Sequence, residues 1–386
     1  MTNGRSLNVE LNDGSQITAT VFLPDAGKGP GLLVCPGRAD DQRGTYDTAR
    51  LFAEEGYVVM LASPAAVDSA ATTPDALHAL TDELRALPET IGRIGVLGFG
   101  EGGLPALRAA ARCWVDCAVA YTPELLALAP TDIAGLRVPV VVHTAGNPGH
   151  PPEPLRSALD GSPHLTRYVY PDVGAGFFRK GHAGYDPASA LIAHQRSVVL
   201  LRRQMGPHHD FSALWDQHCA CEFATRDVDA TMATMVASPY VNHIPTMTGG
   251  VGQEQLKRFY KYHFIPKTPA DTRLVPISRT VGETSLVDEL LFCFTHDIEM
   301  DWMLPGIPPT GRYVEIPLVA IVRFRGDKLY NEHIYWDQAS VLVQIGLLDP
   351  TGLPVAGAET ARKLTDETLP SNGLMRAWRK SEDWPL

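Results

Sequence analysis

Three stretches of this 386-residue chain hold residues whose types and spacing could do chemistry. RIGVLGFGEGG, residues 93–103, is an apolar strand running into a glycine-rich turn. Gly98, Gly100 and Gly103 have the G-x-G-x-x-G spacing that lets a backbone approach a pyrophosphate. The same turn has the outline of a nucleophile elbow, G-x-S-x-G or G-x-C-x-G, with Gly100 standing where the nucleophile would be. YNEHIYWDQ, residues 330–338, alternates: Asn331, His333, Tyr335 and Asp337 point one way, and Glu332, Ile334, Trp336 and Gln338 the other. FCFTHDIEMDWML, residues 292–304, read with the same alternation, puts His296 on one face and Asp297, Glu299 and Asp301 on the other. Proton abstraction beside a carbonyl needs one group to take a proton and another to protonate oxygen. A carboxylate among aromatic side chains inside a curled sheet is a candidate base with a raised pKa.

These residues need elements to position them, and the chain changes grammar along its length. SLNVELNDGSQITATVFLP predicts a hairpin turning at Asn12-Asp13-Gly14. GPGLLVCPG suits a strand buried on both faces. A helix stopped by Gly56, the strand YVVMLAS, a helix over 74–87, a strand over 94–97, a helix over 102–112, further strands and a closing helix near 187–204 follow. Such alternation predicts an α/β domain with a mostly parallel sheet, over 1–205. MGPHHDFS breaks the pattern, and helices followed by long alternating strands predict an α+β domain over 206–386.

Composition limits the function classes. The chain is 45% apolar and 20% charged, and its net charge of -11 disfavours a nucleic-acid or anionic-membrane partner. No basic-then-apolar leader or bilayer-length apolar run is visible, which predicts a cytoplasmic protein. Six cysteines without C-x-x-C pairs predict reduced thiols. His208 and His209 read as loop, and no H-x-x-x-H pair stands on a helix, so neither a metal nor a cofactor is expected.

Elbow and fingerprint are separated by position. A Rossmann fingerprint belongs at the first βα turn of its domain; this turn follows a hairpin and at least two β/α units, although Glu124 stands at a suitable distance for a ribose. PGLLVCPG, ARLFAEEGYVVMLASP, IGVLGFGEGG and YVYPDVGAGFF together resemble the dienelactone hydrolase family of α/β-hydrolases over residues 5–205. The resemblance puts the nucleophile at Gly100, the histidine at Ala175 and the acid near Asn147. None of the three can serve, so it implies a lost triad. Cys35 with His143, His150 or His182 is the alternative constellation, and Asp40, Asp41 and Arg43 read as solvated loop charges.

YVNHIP, GQEQLKRFY, MLPGIPPTGRYVEIP and KLYNEHIYWDQASVLVQIGLL resemble the SnoaL-like polyketide cyclases of the nuclear transport factor 2-like superfamily over 211–350. That resemblance implies a cone-shaped α+β barrel around a ligand pocket, often paired into a homodimer, with Asp337 as base and His243 or His296 as acid. Glu299, Asp301, Trp302, Glu332, Tyr335 and Trp336 then contact a small-molecule substrate. The reading is cofactor-independent cyclase, isomerase or hydratase/dehydratase chemistry on a small polyketide-like or cyclic carbonyl compound. Two alternatives stay open: a hydrolase or lactonase with a relocated nucleophile, and a metabolite-binding protein without catalysis.

Overall fold

A computed structural model describes residues 4–37, 42–72, 74–121, 130–146 and 153–385. The chain divides into two compact units, Met1–His209 and Asp210–Leu386.

The first unit opens with β1 (Arg5–Glu10) and β2 (Gln16–Phe22), the hairpin, then β3 (Gly29–Cys35), every residue of which is buried. Next come α1 (Gln42–Glu54), β4 (Val58–Ala62), α2 (Pro64–Thr72), α3 (Pro74–Ala86), β5 (Thr90–Phe99), α4 (Gly103–Ala111) and β6 (Cys117–Tyr121). The unit closes with α5 (Pro130–Ala134), β7 (Val140–Ala145), α6 (Leu155–Gly161), β8 (Leu165–Tyr170) and α7 (Pro187–Met205). The eight strands lie in the order β1-β2-β4-β3-β5-β6-β7-β8. β1 and β2 run antiparallel to each other, as do β2 and β4, and the pairs from β4 to β8 are parallel. Short, wholly apolar strands such as VVMLA and CAVAY are what a sheet covered on both faces requires, and separate apolar clusters pack on its two sides. Asp186 starts α7 by accepting the amide proton of Ser189 at 2.7 Å, with Pro187 in the first turn.

The second unit begins with α8 (Phe211–Cys219), which runs on into a wider π-helical turn at Ala220–Ala224. α9 (Val228–Ala233), β9 (Met235–His243), β10 (Thr248–Val251) and α10 (Gly252–Phe259) follow, and α10 also ends in a π-helical turn, Tyr260–Phe264. β11 (Arg273–Val281), β12 (Ser285–Thr295), β13 (Tyr313–Arg325) and β14 (Lys328–Trp336) form a meander, with α11 (Gln338–Gln344) and α12 (Glu359–Thr365) after it. The six-stranded order is β10-β9-β14-β13-β12-β11, antiparallel except for β14 against β9. After exposed Tyr313, β13 alternates between buried and half-buried positions, and its inner face joins the helices in one core. In the second unit, therefore, both the sheet and the helices packed on it carry the side chains that meet inside.

Candidate functional site

The glycine turn has the backbone of an elbow. Gly100 sits at φ +52° directly after β5, and a β-carbon there would have room, its nearest neighbours being Arg179 Nη2 at 3.6 Å and the Gly37 Cα at 3.8 Å. Its flanking glycines have none: a β-carbon on Gly98 would stand 2.2 Å from the Gly102 carbonyl oxygen, and one on Gly102 2.2 Å from that of Cys35. Strand, turn and helix are thus packed as tightly as an elbow demands, around a position with no attacking atom.

Among the described residues, the other first-unit candidates do not rebuild a triad. Ala175 is exposed, whereas Asn147, His150, Asp40 and Asp41 lie outside the described residues, and Arg43 is exposed. Cys35 is corrected as a nucleophile: it is buried in the core, and burial pushes its thiol up to about 12, so almost no thiolate exists near neutrality. His143 is not in a loop but within β7, fully buried. Ser197 Oγ donates to the Ala193 carbonyl at 2.9 Å, which leaves it to accept from His143 Nε2 at 3.0 Å and from the Tyr121 hydroxyl at 2.8 Å. His143 Nδ1 then accepts from the Tyr170 hydroxyl at 3.0 Å, and Tyr170 from Arg196 at 3.2 Å. Every proton in this serine–histidine contact is already committed, and burial pushes the imidazole down to about 3. It is a neutral structural network. His182 is exposed and accepts from the Gly184 amide.

The second unit holds a different arrangement. An apolar cavity, leaving about 40 Å³ for the centre of a water molecule, opens among Phe223, Leu290, Phe292, Leu318 and Ile334. That is room for about three waters, so any ligand must be compact or must displace side chains. At one part of its wall converge Cys219 from α8, Glu222 from the π-helical turn after it, Tyr260 from the turn after α10, and Glu332 from β14, with His218 of α8 set against the two carboxylates. His218 Nε2 lies 3.0 Å from Glu222 Oε1 and 3.3 Å from Glu332 Oε1, and the histidine is wholly buried. Burial opposes a charge on the ring, but the carboxylates of Glu222 and Glu332 outweigh it and hold the imidazole up at about 10. Burial raises the Glu222 carboxyl, against the pull of His218, and also drives the Tyr260 hydroxyl well above its ordinary range.

His243, at the end of β9, stands on the same cavity. Its ring stacks on Phe264 at 5.6 Å and packs 5.0 Å from Trp302, whose ring meets Trp336 edge-on. Burial pushes His243 down to about 4, so it is neutral over the physiological range.

The sequence-expected residues therefore separate. Glu332, His243 and Trp302 reach the cavity, and Trp336 backs them. Asp337 does not: it is exposed and caps α11 by accepting from the Ala339 amide at 3.0 Å. Tyr335 is 40% exposed, on the outer face of the sheet. β12 ends at Thr295, so strand alternation stops there, and the three acids expected beyond it lie elsewhere. Glu299 pairs with Lys267 at 2.8 Å, and Asp301 with His263 at 2.7 Å. His296 is buried but turned to a loop, its Nδ1 3.2 Å from the Thr310 hydroxyl. Three residues escaped notice: His218, Glu222 and Tyr260. The signal for the first two is H-x-x-x-E, which sets both side chains on one helical face.

Comparison with known proteins bears on the first unit. Residues 64–205 match the dienelactone hydrolase family. The chain is 30% identical over 127 residues to carboxymethylenebutenolidase 1 of Cupriavidus pinatubonensis, covering 32% of this chain and 54% of that protein. It is 29% identical over 129 residues to carboxymethylenebutenolidase of Pseudomonas putida, with 32% and 55% covered. The chain thus spans about half the length of the curated relatives it matches. Among solved structures, a dienelactone hydrolase-like promiscuous phosphotriesterase from metagenomic libraries aligns with a TM-score of 0.45 at 17% identity, covering 53% of this chain and 100% of that one. The esterase domain of a Rhodothermus marinus protein aligns with a TM-score of 0.41 at 13% identity, covering 53% and 99%. The family match and the strand order together make the first unit a dienelactone hydrolase-like domain of α/β-hydrolase architecture.

Proposed function

We propose that the second unit is an acid/base catalyst for a compact cyclic carbonyl compound, of the cyclase, isomerase or hydratase type found among SnoaL-like proteins. The observation that carries this reading is the buried pair Glu222 and Glu332 on the wall of an apolar cavity, with His218 between them. Glu332 takes the proton next to the carbonyl, and Glu222, whose carboxyl is raised by burial, returns one to oxygen. His218 is held between them and orients both. A neutral His243, on the neighbouring strand two register positions along from Glu332, lines the same cavity. The base is thus moved from Asp337 to Glu332. Turnover of a panel of small cyclic ketones, enones and β-dicarbonyl compounds tests it: Glu332→Gln should lower kcat by about 100-fold or more, and Asp337→Asn should leave it unchanged. The opposite pattern sinks the assignment.

The family match and the carboxymethylenebutenolidase relatives support a second reading better than they support the first: hydrolysis of a lactone or ester in the first unit. Its nucleophile would be neither residue 100 nor Cys35. Glu101 and Arg179 reach the same loop, since a β-carbon on Gly37 would lie 3.1 Å from Glu101 Oε2 and 2.9 Å from Arg179 Nη2. A water in the space beside Gly100, activated by Glu101 and with the carbonyl oxygen held by Arg179, is the chemistry these groups allow. Enol-lactone and aryl-ester hydrolysis that survives Glu332→Gln and falls in Glu101→Gln supports this reading. Hydrolysis indifferent to Glu101→Gln and Arg179→Gln overturns it.

A further inference from the structure

We propose that His218, Glu222 and Glu332 form a binding site for a divalent first-row metal ion, one imidazole nitrogen and two carboxylate oxygens with a further coordination position facing the apolar cavity. The site stands apart from the acid/base reading above, because a bound ion would occupy the same Glu222 and Glu332 carboxylates that the metal-free reaction uses.

The argument begins at Thr234. Its hydroxyl donates to the Thr231 carbonyl at 2.6 Å, so it can only accept from His218 Nδ1, 2.6 Å away. Nδ1 therefore carries a proton, and the neutral ring turns the lone pair of Nε2 toward the two carboxylates. A lone pair facing two anions is repulsive unless a cation stands between them, either a second ring proton or a metal ion. A proton would be expected to point at one oxygen. Instead, although Nε2 is 3.0 and 3.3 Å from two oxygens, it makes a well-aligned hydrogen bond to neither, and Glu332 Oε1 is likewise without a hydrogen-bond partner among the described residues.

Spacing agrees with ligation. The three ligand atoms lie within 4.8 Å of one another. Bonds of about 2.1 Å set neighbouring ligand atoms about 3.4 Å apart in a tetrahedron and about 3.0 Å apart in an octahedron, which brackets the two observed separations. Charge agrees as well: two carboxylates, a neutral imidazole and a divalent ion sum to zero in a pocket where His218, Glu222 and Glu332 are all buried.

An independent group also points at the cluster. The Tyr260 hydroxyl is buried against Glu222, where a metal-bound water would give it a further partner. Thr234 is the outer partner that fixes the tautomer of a ligating histidine. The donor set, one nitrogen and two hard oxygens, suits zinc, manganese or iron(II) better than calcium or a thiolate-seeking ion.

The full chain, stripped with a chelator and dialysed, is titrated with Co²⁺ and followed by its visible d–d absorption, with Zn²⁺ as competitor. One saturable ion per chain is expected, displaced by Zn²⁺. Glu332→Gln and Glu222→Gln, each nearly isosteric and checked for native circular dichroism, should weaken binding about 100-fold, and Thr234→Val about 10-fold; Asp337→Asn should leave it intact. Absence of saturable binding, or binding unchanged in both glutamine variants, overturns the site. A stripped protein that turns over no carbonyl compound while the ion binds as above refutes the functional reading alone, whereas full turnover by the stripped protein together with no binding refutes this site alone.

Discussion

Glycine at 98 and 102 serves packing, whereas glycine at 100 leaves a space. Gly98→Ala or Gly102→Ala drives a methyl group into a backbone oxygen 2.2 Å away and should cost about 2–3 kcal/mol in urea unfolding. Gly100→Ala meets only the strain of its φ and should cost about 1 kcal/mol. His243 gives a pH signature. Its folded pKa, about 4 through burial, lies below the unfolded value near 6.5, so the unfolded chain binds more protons between those values. Its contribution is therefore present above about pH 6.5 and is lost as the pH falls through that window. Between pH 7 and pH 5 the native protein should lose about 2 kcal/mol more than His243→Asn. Glu332 was legible in the sequence, because strand alternation set it apart from its neighbours. His218 and Glu222 were not, since an i, i+4 histidine–glutamate pair on a helix reads equally well as a surface ion pair until Glu332 arrives from a distant strand.

At the level of elements, Asp337 shows how a side chain is claimed by local structure before chemistry can use it. WDQAS places an Asp just ahead of a helix start, where its carboxylate satisfies an otherwise unpaired amide. Asp337→Ala should accordingly destabilise the second unit by about 1 kcal/mol in thermal or urea unfolding while leaving Co²⁺ affinity unchanged. The long strands of the second unit were readable from period-2 patterning, although their order in the sheet was not. The misreading of residues 296–301 came from extending that period beyond Thr295, where the chain leaves the sheet. The π-helical turns were not readable at all, because a run such as HCACEFA has the same apolar spacing in either winding. Yet Glu222 and Tyr260 both stand in those wider turns, a placement common at functional positions.

Over the whole molecule, a separate apolar interior in each unit and a net charge of -11 set what the surface offers. All six cysteines are free, and Cys113 is the exposed one. A thiol reagent should modify Cys113 first in the native protein and reach Cys35 and Cys117 only after denaturation; rapid native labelling of Cys35 would contradict its burial. The alternating β/α order made the first unit's class legible from the chain alone, and the glycine at position 100 of its turn was legible there too. Three of the six tryptophans, Trp215, Trp302 and Trp336, are buried around the second unit's cavity and its histidines, whereas Trp378 and Trp384 are exposed. The molecule thereby carries its own optical reporter. The shielded indoles emit to the blue of the exposed pair, so a quencher or chromophore entering the cavity dims one edge of the emission band and leaves the other bright.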